Sequence, residues 1–164
     1  MTLIRKSVLD FNNVQHYNGI DIEELSFIPK INLRGESSNK DFMGDVSDIL
    51  NTQLPEEANI CIYKENLKII WLSPNEWLIQ INNEDEYKNI YSKLHVKLNP
   101  YDTAITDVSE NRTIMNVRGK DLYKLLAKFM VIDFDNVLKK ESSVAQTIFN
   151  KVPVLIVRNH VDKD

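Results

Sequence analysis

Cys61 is the only cysteine of the chain, and that scarcity excludes an internal disulfide and every metal site built from several cysteines. Flanked by Ile60, Ile62 and Tyr63, it has a strand-like setting. A buried, inert thiol is the expected state, because a reactive thiolate needs a cationic and partly exposed surrounding. Glycine is nearly as scarce. Gly19, Gly35, Gly44 and Gly119 are the whole complement, too isolated to build the glycine-rich turns that let a backbone approach a pyrophosphate or triphosphate. Dinucleotide-binding and P-loop chemistry are thereby excluded. The three histidines, His16, His95 and His160, stand far apart, with no second His, Cys or carboxylate at ligand spacing. Surface or helix-face positions are expected for them, and metal ligation is not.

Long apolar runs are also missing. No window approaches the roughly 18 uninterrupted apolar residues that a membrane span needs, and Asp10, Asn12 and Asn13 follow Met1–Ser7 too soon for a secretory signal. No membrane contact and a cytoplasmic location are expected. Positive charge is in short supply as well: 20 Lys and Arg stand against 24 Asp and Glu, a net charge of −4. A phosphate backbone needs a concentrated basic face, so nucleic acid is not expected as a partner. Lys139-Lys140, the basic pair near the C-terminus, is followed at once by Glu141, as on a solvated surface.

What remains is ordinary for a globular domain: 43% hydrophobic and 27% charged residues in 164, a length that buries about two-thirds of the unfolded surface. Residues 1–29 read as a polar N-terminal arm in which Ile20, Ile22, Leu25, Phe27 and Ile28 can dock. Beyond Pro29, Ile31 and Leu33 indicate a strand ending at Arg34-Gly35. Glu36-Ser37-Ser38-Asn39 offers a cap for a helix with Phe42, Val46, Ile49 and Leu50 on one face, ended by Leu54-Pro55. Ile60–Tyr63 is extended. Lys68–Ile81 reads as two apolar strands joined by a tight Ser73-Pro74-Asn75 turn, with Trp71 and Trp77 facing each other across the hairpin. Asn83 caps a second helix whose Glu84, Asp85 and Glu86 suit the positive end of its dipole, and whose Tyr87, Ile90, Tyr91, Leu94 and Leu98 share a face.

After Asn99-Pro100 the vocabulary repeats. Ala104–Ser109 and Arg112–Arg118 read as a hairpin around Glu110-Asn111, Leu122, Leu125, Leu126 and Phe129 as a third helix, and Val144–Phe149 with Val152–Val157 as a last hairpin around Asn150-Lys151. This order predicts an α+β fold of two packed subdomains, about 30–99 and 100–158, with mainly antiparallel sheets and flanking helices.

Candidate chemistry is sparse. Ser109 in Asp107-Val108-Ser109 lies at a strand end, but no nucleophile-elbow glycines flank it, and Asp and Ser in such a place commonly bind nearby backbone. Asp133 and Asp135 alternate with Phe134 in the manner of a half-buried strand or loop. Arg34 and Arg112 stand at strand ends. Either an internal salt bridge, to Glu36 or Asp107, or an interface anchor explains them. Trp71 and Trp77 fit a core pair, with a partner surface as the sharper alternative.

Several ordered motifs resemble one family. Ile31-Asn32-Leu33-Arg34-Gly35, Leu54-Pro55, Trp71-Leu72-Ser73-Pro74-Asn75-Glu76-Trp77-Leu78, Thr106-Asp107-Val108-Ser109 with Arg112-Thr113, and Gln146-Thr147 are together similar to the gamma subunit of heterotetrameric sarcosine oxidase, over about Ile31 to Arg158. Ser73 replaces the family's usual glycine, Asn75 its aspartate, and Lys120 a common helix-opening proline. The polar end 159–164 stands where the family continues with more strand and an aromatic helix. Either a truncated chain or an edge covered by another subunit accounts for it. Asp107-Val108-Ser109 with the following strand, Gly119 and leucine-rich helix also resembles the folate-binding domain of the glycine-cleavage T-protein.

The resemblance implies a complex that converts sarcosine, tetrahydrofolate and oxygen to glycine, methylenetetrahydrofolate and hydrogen peroxide. In it this chain is a structural subunit without catalytic, cofactor or metal residues. FAD, FMN, NAD, zinc and tetrahydrofolate belong to partner alpha, beta and delta subunits. Arg34, Gly35, Trp71, Pro74, Glu76, Trp77, Asp107, Ser109 and Arg112 are the motif and candidate interface positions. The alternative is a free-standing folate-binding aminomethyltransferase-like protein that uses Asp107 near a pterin.

Overall fold

The computed structural model describes residue 9 and residues 13–159; residues 1–8 and 10–12 of the expected N-terminal arm, and residues 160–164, His160 among them, lie outside those described. Helix α1 (Lys40–Leu50) starts where Asn39 accepts hydrogen bonds from the amides of Asp41 and Phe42, and it ends at Asn51, whose φ of 53° is left-handed. The chain therefore leaves the helix three residues before Leu54-Pro55, because Asn adopts that conformation at little strain. Helix α2 (Glu84–Lys97) begins at Asn83, which accepts from Glu86 N, and carries three acidic residues in its first turn and His95 and Lys97 in its last. Both ends thus match the helix dipole.

The two helices cover one face of a five-stranded antiparallel sheet in the order β4-β5-β6-β3-β7. Its strands are β3 (Lys30–Arg34), β4 (Cys61–Lys64), β5 (Leu67–Ser73), β6 (Glu76–Ile81) and β7 (Ala104–Asp107). Ile31, Leu33, Ile69, Trp77, Ile79 and Ile81 point to the helices, where Phe42, Val46, Leu50, Ile90 and Leu94 meet them. Each such side chain, fully buried, stabilises the fold by roughly 1.5–3 kcal/mol. On the opposite face Cys61, Ile70 and Leu78 pack against Val144.

Val144 opens a separate hairpin, β9 (Val144–Phe149) and β10 (Val152–Val157), paired along its whole length around Asn150-Lys151. Cross-strand partners share a face. Val144, Leu155 and Val157 therefore face the sheet, whereas Ala145, Phe149, Val154 and Ile156 face two short helices, α3 (Leu122–Leu126) and α4 (Phe134–Val137). The layers run helix pair, sheet, hairpin, short helices, an α+β architecture as expected.

Three local expectations fail. Residues 104–118 do not form a hairpin: β7 pairs with β3, while β8 (Met115–Arg118) pairs with β2 (Ile20–Glu24). The cause lies in the arm, where β1 (Gln15–Tyr17) and β2 make a hairpin through Asn18-Gly19, both at positive φ. A two-residue turn of that kind matches the twist of the strands it joins. That hairpin offers β8 a partner. The third helix stops at Leu126, leaving Phe129 outside it. Asp133 is a cap, accepting from Asn136 N at 3.2 Å, so the alternation around Phe134 is a helical turn and not a strand.

Candidate functional site at the two ends of strand β3

Strand β3 separates the motif residues into two groups about 13 Å apart, four residues at strand rise. At its Arg34 end the β5–β6 hairpin closes over it. Trp71 and Trp77 are cross-strand partners, so both side chains lie on the helix-facing side. Trp77 is completely buried, its indole Nε1 donates to Pro55 O at 2.9 Å, and its ring packs against Phe42 with centroids 6.0 Å apart. Trp71, nearer the turn, is only half-buried. A register shift between Trp71 and Ser73 sets the turn so that Asn75 O accepts from Gly35 N at 3.2 Å. Ser73 Oγ donates to Asn75 Oδ1 at 2.9 Å across the exposed Pro74.

Gly35 is required for steric reasons: a Cβ there would lie 2.4 Å from Phe42 Cζ. Arg34 and Glu76 are register partners. Asn32 Nδ2 donates to Glu76 Oε1 at 2.8 Å, whereas the Arg34 guanidinium reaches the other carboxylate oxygen only at 3.9 Å. The ion-pair partner of Arg34 is thus Glu76, across the strand, in place of Glu36 or Asp107. As a half-exposed pair it contributes well under about 1 kcal/mol.

At the other end Lys30 is 2% exposed. Its ammonium donates to Ile28 O at 2.8 Å and to Ser109 O at 3.0 Å, and it lies 5.8 Å from the Phe27 ring centroid. Burial pushes the Lys30 pKa below its ordinary value; Glu110 opposes that shift, Arg112 adds to it, and Asp107 opposes it again. Ser109 Oγ accepts from the Lys30 amide at 3.0 Å, and Ser109 N donates to Asp107 Oδ1 at 2.9 Å. The Asp107-Val108-Ser109 turn therefore latches β7 onto the start of β3. Arg112 is exposed on the segment leading to β8.

Above this turn stands Tyr87 from the first turn of α2. Its hydroxyl is shut from solvent and makes no hydrogen bond among the described residues. Burial chiefly pushes its pKa up to about 12; the Asp107 side chain, close by though outside hydrogen-bond geometry, adds to the rise and that of Ser109 opposes it. The ring stacks on Tyr91 at 5.6 Å, and Tyr91 meets His95 edge-on at 4.5 Å. His16 is likewise engaged, with Nδ1 2.6 Å from Asp21 Oδ1 across the β1–β2 pair. Cys61 is buried, and burial raises its thiol pKa.

Lys30 and Tyr87 are the residues that sequence reasoning misses. Lys30 alternates with Ile31 in a pattern that reads as outward-facing, and only the 108–109 turn, distant in sequence, covers it. Tyr87 reads as one more member of an apolar helix face. No group of three or more His, Cys, Asp or Glu able to hold a metal ion occurs among the described residues, and no helix among them is long and apolar enough to cross a membrane.

A family model described as the sarcosine oxidase, gamma subunit family matches residues 34–164. The chain belongs to the sarcosine oxidase gamma subunit family. The matched stretch opens at Arg34, so it holds the tryptophan hairpin, the Asp107–Ser109 latch and the last hairpin; β1, β2 and most of β3 precede it. No curated protein matches the chain. Its fold resembles that of a chain in the heterotetrameric sarcosine oxidase from Corynebacterium sp. U-96 solved in complex with pyrrole 2-carboxylate. The TM-score is 0.78 at 18% identity, covering 95% of this chain and 82% of that chain. At that identity the likeness shows a shared fold.

Proposed function

We propose that this member of the sarcosine oxidase gamma subunit family is a structural, non-catalytic subunit of a heterotetrameric sarcosine oxidase, held by partner alpha, beta and delta chains. Demethylation of sarcosine, transfer of the one-carbon unit to tetrahydrofolate and release of hydrogen peroxide then belong to the complex, and FAD, FMN, NAD, zinc and tetrahydrofolate to its other subunits. The family match over residues 34–164 carries this reading. The chemistry at the two ends of β3 supports it. Asp107, Ser109 and Lys30 hold one another and the backbone, and Glu76 holds Asn32 and Arg34, so these polar groups serve the position of strands. A nucleophile or general base needs a free hydroxyl or a base aimed at a substrate.

Co-expression with candidate alpha, beta and delta chains tests the proposal. The expected result is a stable complex containing this chain, with flavin absorbance on the other subunits and none on the isolated chain. A chain that stays apart from those subunits overturns it. Saturable tetrahydrofolate binding by the isolated chain would establish instead the free-standing folate-binding reading, in which Asp107 lies near a pterin.

A further inference from the structure

At the far end of the β9–β10 hairpin the packing of the last layer stops short. Phe129 and Phe149 meet at 5.2 Å between ring centroids, and Asn150 N in the hairpin turn donates to Phe129 O at 2.9 Å. The 129–131 stretch is thereby tied to the tip. Phe129 is nevertheless 46% exposed, Ile148 56%, Val152 60%, and Val131 fully exposed. Val152 is the cross-strand partner of Phe149 and so lies on the same face beside Phe129, with Val131 two residues further on, whereas Ile148 points to the hairpin's other face; the three form an exposed apolar cluster of the kind that marks an interaction site.

Charge rims the patch. Lys128 precedes Phe129, Lys151 sits in the hairpin turn, and neither takes part in an ion pair among the described residues. Residues 119–159 carry seven basic and four acidic side chains, leaving thirteen basic against twenty acidic in the rest of the chain. Of these basic residues Lys140 and Arg158 lie beside Ser143, at the hairpin's other end, while Lys128 and Lys151 lie at the tip, where their positive charge favours an approaching acidic surface.

We propose that the tip of the β9–β10 hairpin, with Phe129 and Val131, is the surface on which a partner subunit of the oxidase docks, through a face apolar at its centre and rimmed by carboxylates. This inference rests on the reading of the chain as an oxidase subunit. Apolar anchors at the middle and charged groups at the rim are the usual division of an interface. The rim charges set the encounter rate and its salt dependence.

The matched pair Val131→Asp and Val96→Asp tests it. Val96 is 85% exposed on α2, in the opposite layer, so the same charge is added on either side of the molecule. In co-purification and binding titrations with the other oxidase subunits, Val131→Asp is expected to weaken assembly about tenfold or more, with Val96→Asp unchanged. The double variant Lys128→Glu/Lys151→Glu is expected to slow association and flatten its dependence on salt. Thermal melts of each free variant, matching the parent chain, show that folding is intact. Assembly that survives Val131→Asp and the double lysine variant overturns this inference alone, as does equal loss from Val96→Asp. A parent chain that dimerises through the tip also overturns it. A parent chain that joins no oxidase subunit overturns both this inference and the functional reading.

Discussion

The helix-pair layer and the short-helix layer lie at opposite ends of the stack, one on the five-stranded sheet and the other on the β9–β10 hairpin, and are built to different standards. Under α1 and α2 the core residues are sealed, both helices carry side-chain caps, and Trp77 anchors the centre by its ring and its indole N–H. Under α3 and α4 the helices span five and four residues, α3 has no side-chain cap, and Phe129 and Val131 remain in solvent. Helices this short draw little stability from themselves. The first layer is thus closed within the chain, while the second leaves apolar side chains uncovered, as the proposed docking of a partner subunit requires.

Trp77→Ala breaks the first layer most directly. Removing a fully buried tryptophan typically costs about 3–5 kcal/mol, and here Pro55 O also loses its donor. Chemical denaturation is expected to show a chain near or below its folding threshold, since domains of this kind hold only about 5–15 kcal/mol. A loss under about 1 kcal/mol would mean that Trp77 is not the anchor of that core.

Gly35→Ala attacks the same layer from the strand end. The new methyl would meet the Phe42 ring at 2.4 Å, so Phe42 must give way beneath Trp77, at about 1–3 kcal/mol for overpacking. Pairing it with Phe42→Leu frees the space. The double variant is expected to be less damaged than the sum of the two single ones, by denaturation midpoints in a double-mutant cycle. Strict additivity would place the strain elsewhere.

Val131→Ser supplies the contrast. A fully exposed valine contributes little to the free chain, so its stability is expected to stay within about 0.5 kcal/mol of the parent. The same change in the assembled complex is expected to lower the temperature at which this chain dissociates. A large loss in the free chain would show that the second layer is sealed after all.

These differences also decide what was legible in the sequence. The first layer announces itself: Asn39 and Asn83 precede periodic apolar faces, and Lys68–Ile81 alternates around its turn, so local signals and tertiary packing agree. The five-stranded sheet is less visible, because β7 joins β3 across seventy or more residues and nothing local encodes that pairing. Asn18-Gly19 does carry a strong hairpin signal, set among the polar residues of the arm, and the hairpin it makes supplies the partner of β8. The Asp107–Ser109 turn was legible as a backbone-binding motif. Its partner Lys30 was not, since a lysine buried by a distant loop looks in sequence like any outward residue of a strand. Trp71 and Trp77 were legible as a pair, but the difference in their burial depends on Phe42 and Pro55, which arrive from elsewhere in the chain.

Tyr87→Phe addresses the one imperfection of the sealed layer, a buried hydroxyl without a hydrogen bond among the described residues. Deleting an unpaired oxygen removes a desolvation penalty, so at neutral pH the variant is expected to be as stable as the parent or slightly more so, by at most about 1 kcal/mol. The pH dependence separates the two more sharply. The folded phenol holds its proton to about 12 against an ordinary value of 10. A raised value gives stability that is fully present below pH 10 and is lost as pH climbs through 10 toward 12, because the unfolded chain then binds fewer protons. Other tyrosines and lysines titrate in both proteins, and the difference between the denaturation curves isolates Tyr87. The parent is expected to lose more stability than Tyr87→Phe across that window. Parallel curves would show that the phenol is not held away from water by α2 and the Asp107 turn, and that the first layer opens at this corner as the second does at its tip.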